Sequence, residues 1–227
     1  MAYNCGTQLY FCKKQNSSYN VIRSVPRAIM RRVPPNYPEP CRSPPHEVGP
    51  SHDLHLLGNS GVIRNLLVAE ARYIPRHNYF DAVQTEIKIN MRKTVVRWMA
   101  DVCEEDNCHL DVFPLAVNLM DRFLSVEAIH SQHLQLLATA ALFVASKYRQ
   151  VQPISAQRLI EYTDNSISKS ELVSWELLLL GRLKWDVSAI VPHDLISHLL
   201  SRLSQLPSTL FSRIRDTANS FVQMIYT

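Results

Sequence analysis

From Val62 onward, apolar residues recur at three- and four-residue intervals, and no alternating stretch reads as a strand. The spacing predicts a short helix over about 62–73, carrying Ile63, Leu66 and Leu67. A longer one follows over roughly 81–106, with Met91, Val95, Trp98 and Val102 on a single stripe. Asp111 opens the next helix, in which Pro114 is tolerated in the first turn and Phe113, Val117, Met120 and Leu124 run inward. Ser131 is read as the cap of LQLLATAALFVA, residues 134–145, a helix apolar almost all round and rich in alanine. Such a helix belongs at the centre of a bundle, where small side chains let neighbours approach closely. Ser155 starts a helix to about Tyr162, and Ser168 with Glu171 forms a capping box for another ending near Leu183. Pro192 and Ser208 begin two more, the last running into FVQMIYT. The fold class expected is all-α: one five-helix bundle around a buried third helix, then two helices of a second unit.

The first 60 residues break this rhythm. They hold eight of the thirteen prolines and few periodic apolar residues, which reads as a disordered leader. They also carry seven Lys/Arg against three Asp/Glu, whereas residues 61–227 hold seventeen of each. The net charge of +4 thus belongs to the leader, and the neutral helical part offers no electrostatic footprint for direct nucleic-acid binding. No apolar run is long enough to span a bilayer, so no membrane partner is expected. The three parts are drawn at 1–60, 61–187 and 188–227.

Tests for catalytic or metal chemistry return little. With five glycines in the chain, no phosphate-cradling G-x-G-x-x-G or G-x-x-x-x-G-K occurs. Cys103-x4-Cys108-His109 lacks the second close pair that structural zinc requires, and the five cysteines fit free thiols in a reducing compartment. No cofactor and no metal are expected. Glu104-Glu105-Asp106 ends a helix, where the macrodipole disfavours anions, and reads either as a solvated face or as a functional acidic surface. A binding protein fits this inventory better than an enzyme.

Five segments in order, MRKTVVRWMADVCEE, FPLAVNLMDRFLS, LQLLATAALFVASKYR, EYTDNSISKSELVSWELLLLGRLKWDV and PHDLISHLL, together resemble a D-type cyclin, from about Ile63 to Leu203. The resemblance implies a cyclin fold and a regulatory, non-catalytic subunit. Such a subunit binds and activates a D-class cyclin-dependent kinase and promotes the G1/S transition through phosphorylation of retinoblastoma-type proteins. It also implies residence in the nucleus and cytoplasm. The family's kinase-contacting lysine and glutamate fall on Lys147 and Glu176, and Val144, Tyr148, Leu177 and Leu180 match its apolar contact positions. A substrate-docking patch, which takes arginine-x-leucine motifs of substrates and kinase inhibitors, falls on Met91, Val95, Trp98, Leu134 and Gln135. Asp101 stands where the arginine is received. Arg92 and Asp121 match a structural ion pair between the first two bundle helices.

Read without the family, Lys147 suits a helix C-terminus, Glu176 a solvated face, and the Met91–Val95–Trp98 stripe ordinary core. Three departures stand against the family pattern. Leu-x-Cys-x-Glu is absent from CGTQLYFCKKQ, and Gln150 replaces the usual glutamate after the lysine. Two helices of the second box are present where the family has five, so the chain is expected to be C-terminally truncated. A non-activating cyclin-fold adaptor therefore stays open beside the activating subunit.

Overall fold

The computed structural model describes residues 54–76, 78–203 and 207–226, all within helices, turns and loops. The leader, with its proline-rich stretch and CGTQLYFCKKQ, lies outside the described residues up to position 53. In chain order the α-helices are α1 (Leu54–Leu57), α2 (Ser60–Glu70), α3 (Tyr79–Ala82), α4 (Ile89–Glu105) and α5 (Val112–Leu124). Then come α6 (Leu134–Arg149), α7 (Ala156–Tyr162), α8 (Lys169–Arg182), α9 (Pro192–Leu200) and α10 (Ser208–Tyr226). Short 3-10 turns at Ala71–Tyr73, Ser131–His133 and Ser201–Leu203 join them.

Helices α4 to α8 form a bundle with α6 inside it. Residues Leu136 to Ser146 of α6 are all buried, and the helix packs against α4, α5, α7 and α8. Its alanines, Ala138, Ala140, Ala141 and Ala145, make that possible, since a bulkier side chain at each would push the neighbours apart. The leucines between them fill the gaps: Leu134, Leu137 and Leu142 are fully buried, each stabilising the fold by about 1.5–3 kcal/mol. Val117, Met120 and Leu124 from α5 and Leu172 and Leu179 from α8 complete the same core.

Capping by Ser155 and Ser168 is as the sequence predicts. The Ser155 hydroxyl accepts from the Arg158 N–H, and Ser168 and Glu171 close a reciprocal capping box. Two local expectations need correction. The helix read from about 81 begins only at Ile89, because Gln84 is buried and pins the preceding loop. Its Nε2 donates to the Leu124 and Glu127 carbonyls at 2.6 and 2.7 Å, and its Oε1 accepts from the Ile129 N–H at 3.2 Å. Ser131 does not cap α6, whose first turn follows His133; its N–H donates instead to Glu86 Oε2 at 3.0 Å, fastening the same loop.

Outside the bundle, α2 buries none of its residues, while Tyr73 just beyond it anchors to Asp186 through a 2.9 Å hydrogen bond. Helix α10 docks on the start of α5, the Tyr226 ring edge-on to Phe113 with centroids 6.0 Å apart. Phe221, Met224 and Ile225 on α10 stay exposed.

Candidate functional site

Lys147 lies in the last turn of α6, where a cation faces the partly negative helix terminus. Its ammonium donates to Glu176 Oε1 at 2.7 Å and sits 3.6 Å from the Phe143 ring centroid, one turn back on the same helix. The lysine side chain is 42% exposed and that of Glu176 only 14%, so the pair opens to solvent from the lysine side. Around it the four apolar candidates divide. Val144 and Leu180 are buried in the bundle, whereas Tyr148 and Leu177 are 48% and 58% exposed. A charge pair with two exposed apolar neighbours is a surface that can exclude water when a partner covers it.

The docking candidates also divide. Val95, Trp98 and Leu134 are buried, and the indole N–H of Trp98 donates to the Tyr162 carbonyl at 3.4 Å. Met91 and Gln135 are half-buried, and the Gln135 amide nitrogen is enclosed without a hydrogen-bond partner. Asp101 is exposed at the rim of a cleft of about 340 Å³, which Arg97 and Ala100 of α4 and Ser220, Gln223 and Met224 of α10 also line. Partial burial, with Glu104 adding like charge, raises the Asp101 carboxyl above its ordinary range.

Arg92 and Asp121 form a two-pronged ion pair at 2.8 and 2.6 Å between α4 and α5. The Tyr79 hydroxyl joins it, donating to Asp121 Oδ1 at 3.0 Å, and burial beside that carboxylate pushes the Tyr79 pKa up. Tyr79 escaped sequence reasoning because α3 is a single turn with no periodic signal.

Two further polar clusters join residues far apart in the chain, so their pairing had no signature in the sequence. Asp106 turns inward from the acidic run at the end of α4, accepting from Arg158 Nε at 2.8 Å and Tyr162 OH at 3.0 Å. The dipole conflict at that helix end is thus offset by a guanidinium. Arg149, the last residue of α6, is held by α9: both terminal nitrogens donate to Asp194, at 2.8 and 2.9 Å, and one also donates to the Ala189 carbonyl. Asp111 lies 3.7 Å from Arg149 and 3.7 Å from the buried ring of His193. Burial alone would raise the Asp111 pKa, but His109, Arg149 and His193 together hold it low. Cys103 and Cys108 are free thiols; the hydrogen bond that the Cys103 S–H donates to Cys108, together with burial, pushes the Cys103 thiol up. Among the described residues no three His, Cys, Asp or Glu side chains gather to hold a metal, and no helix is long and apolar enough to cross a membrane.

Comparison with known proteins gives one answer. Residues 61–188 match the family model for the cyclin N-terminal domain. The chain is 46% identical to G1/S-specific cyclin-D2 of Gallus gallus over 175 residues, 77% of this chain and 60% of that protein. It is 41% identical to G1/S-specific cyclin-D3 of Homo sapiens over 187 residues, 82% of this chain and 64% of that protein. Among solved structures, a viral cyclin from herpesvirus saimiri matches with a TM-score of 0.63 and 28% identity, covering 70% of this chain and 68% of that one. The chain spans about 60% of the length of the curated relatives it matches.

Proposed function

Since this chain belongs to the cyclin family, in its D-type branch, whose members are regulatory and not catalytic, we propose that it binds and activates a D-class cyclin-dependent kinase. In this reading it promotes the G1/S transition by directing the kinase to retinoblastoma-type substrates. The observation that carries the proposal is the Lys147–Glu176 pair at the open end of α6, with Tyr148 and Leu177 exposed beside it.

The mechanism follows from that arrangement. A kinase segment laid across α6 and α8 meets a cation and a carboxylate already aligned, so little ordering entropy is lost on contact. Tyr148 and Leu177 exclude water as the surfaces close, which lowers the local dielectric and strengthens each charge-assisted hydrogen bond. An element of the kinase with two alternative positions is biased toward the one that makes those bonds. No residue of this chain enters the phosphoryl-transfer chemistry. Met91, Gln135 and Asp101, the members of the matched patch that are not buried, are assigned to arginine-x-leucine motifs of substrates and inhibitors, and the subunit is assigned to nucleus and cytoplasm.

The test is co-purification of the full chain with a D-class cyclin-dependent kinase, followed by phosphorylation of a retinoblastoma fragment. Binding and activity that both disappear in Lys147→Glu support the proposal. Binding without activity would replace it with a non-activating adaptor, and absence of binding by the wild-type chain would overturn both.

A further inference from the structure

Lys147 belongs to a helix turn that, by itself, is poorly secured. The carbonyls of the last turn of any α-helix lack intrahelical donors, and such turns fray. In α6 the chain leaves the helix at Gln150 in an extended conformation, φ −135° and ψ 150°, so no further turn supports residues 147–149. Gln150 ties the exit to the loop before α5, its Oε1 accepting the His109 N–H at 3.1 Å, and the buried anchor of the last turn is Arg149. Its guanidinium grips both oxygens of Asp194 and the Ala189 carbonyl, and its side chain is only 17% exposed. Asp194 is fixed in turn, because Oδ2 also accepts the Val191 N–H at the start of α9. Asp111, at the start of α5, completes the set at 3.7 Å. Three helix ends therefore meet on one guanidinium, two residues from Lys147.

Building on the kinase-binding role argued above, we propose that the Arg149–Asp194 clamp is a positioning device for kinase recognition. By suppressing fraying of the last turn of α6, it holds Lys147 and Tyr148 where a partner meets them. Asp194 acts on recognition through Arg149, from 45 residues further along the chain. The segment 188–200, which lies outside the five-helix bundle, thereby becomes part of the binding surface's support.

The experiment is a double-mutant cycle on the full chain with Arg149→Gln, Asp194→Asn and the pair, measuring affinity for a D-class cyclin-dependent kinase. Amide hydrogen exchange of the free chain is followed in parallel. Each single variant is expected to lose between about twofold and thirtyfold in affinity, the range of couplings carried through intervening residues, and the double variant no more than either single. Exchange at residues 148–150 should rise in all three while the interior of α6 stays protected. Arg149→Lys, which keeps the charge but loses the two-pronged grip, should fall between wild type and Arg149→Gln. If Arg149→Gln weakens binding and Asp194→Asn does not, Arg149 touches the kinase directly and the clamp is overturned. Unchanged exchange at 148–150 overturns it equally. A wild-type chain that fails to bind the kinase overturns the functional reading and the clamp's role in recognition, whatever the exchange data show about the clamp itself.

Discussion

Lys147 and Glu176, 29 residues apart in the chain, meet at 2.7 Å where the end of α6 passes α8, and the lysine remains substantially open to solvent. A pair open to solvent on its lysine side contributes modestly to folding but is well placed for recognition, and the two roles separate experimentally. Lys147→Ala should alter unfolding free energy by less than about 1 kcal/mol. Loss of a charge-assisted hydrogen bond in the covered complex should lower kinase affinity about tenfold to a hundredfold. Thermal melts together with titration calorimetry check both; a large drop in melting temperature would make Lys147 a fold residue.

The Arg92–Asp121 pair behaves in the opposite way. Asp121 is 7% exposed and also holds the Tyr79 hydroxyl. Arg92→Met should therefore cost about 3–5 kcal/mol by leaving a buried carboxylate uncompensated. Replacing Asp121 by leucine in the same chain should recover part of that loss. Urea unfolding of the single and double variants measures it, and a single variant within 1 kcal/mol of wild type would contradict the burial argument.

Docking is best probed at Asp101. Trp98 is buried, so Trp98→Ala is expected to cost about 3–5 kcal/mol in stability and blur any binding result. Asp101→Asn leaves the fold intact and removes the charge that would meet an arginine. Affinity for an arginine-x-leucine peptide, read by fluorescence anisotropy, should drop about tenfold to a hundredfold with kinase binding unchanged. No change would remove Asp101 from the docking surface.

Mild acid should loosen the region around α9. Burial lowers the His193 pKa below its ordinary 6.5, against the opposing pull of Asp111 and Asp194. As pH falls below 6.5 the unfolded chain takes up a proton at this histidine before the folded chain does, so the unfolded state is favoured. The melting temperature should decline from neutral pH toward pH 5.5, and less steeply in His193→Asn. Identical slopes would place the titrating group elsewhere.

The central helix was legible in the sequence because burial on every side leaves an unbroken apolar run, and Ser155 and Ser168 because a cap acts over three residues. Gln84, Asp106 and Arg149 were not, since each is fixed by partners 40 or more residues away and a single polar side chain has no period. Of the binding candidates, Lys147 and Glu176 come together in space. Periodicity could not separate Val144 from Tyr148, or Leu180 from Leu177, because the rim of a bundle and its core share one helical face at different depths.

The bond from Tyr73 to Asp186 spans 113 residues, and the one from Ser201 to Leu57 spans 144. On a ribosome these partners appear in sequence, at roughly 5–20 residues per second. Residues 54–73 therefore emerge on the order of ten seconds before Asp186 and Ser201 exist, whereas Asn118, which donates to the Tyr73 carbonyl, follows after only 45 residues. During synthesis Tyr73 thus meets α5 first, through Asn118, and the fastening is completed only when Asp186 and Ser201 follow the bundle out.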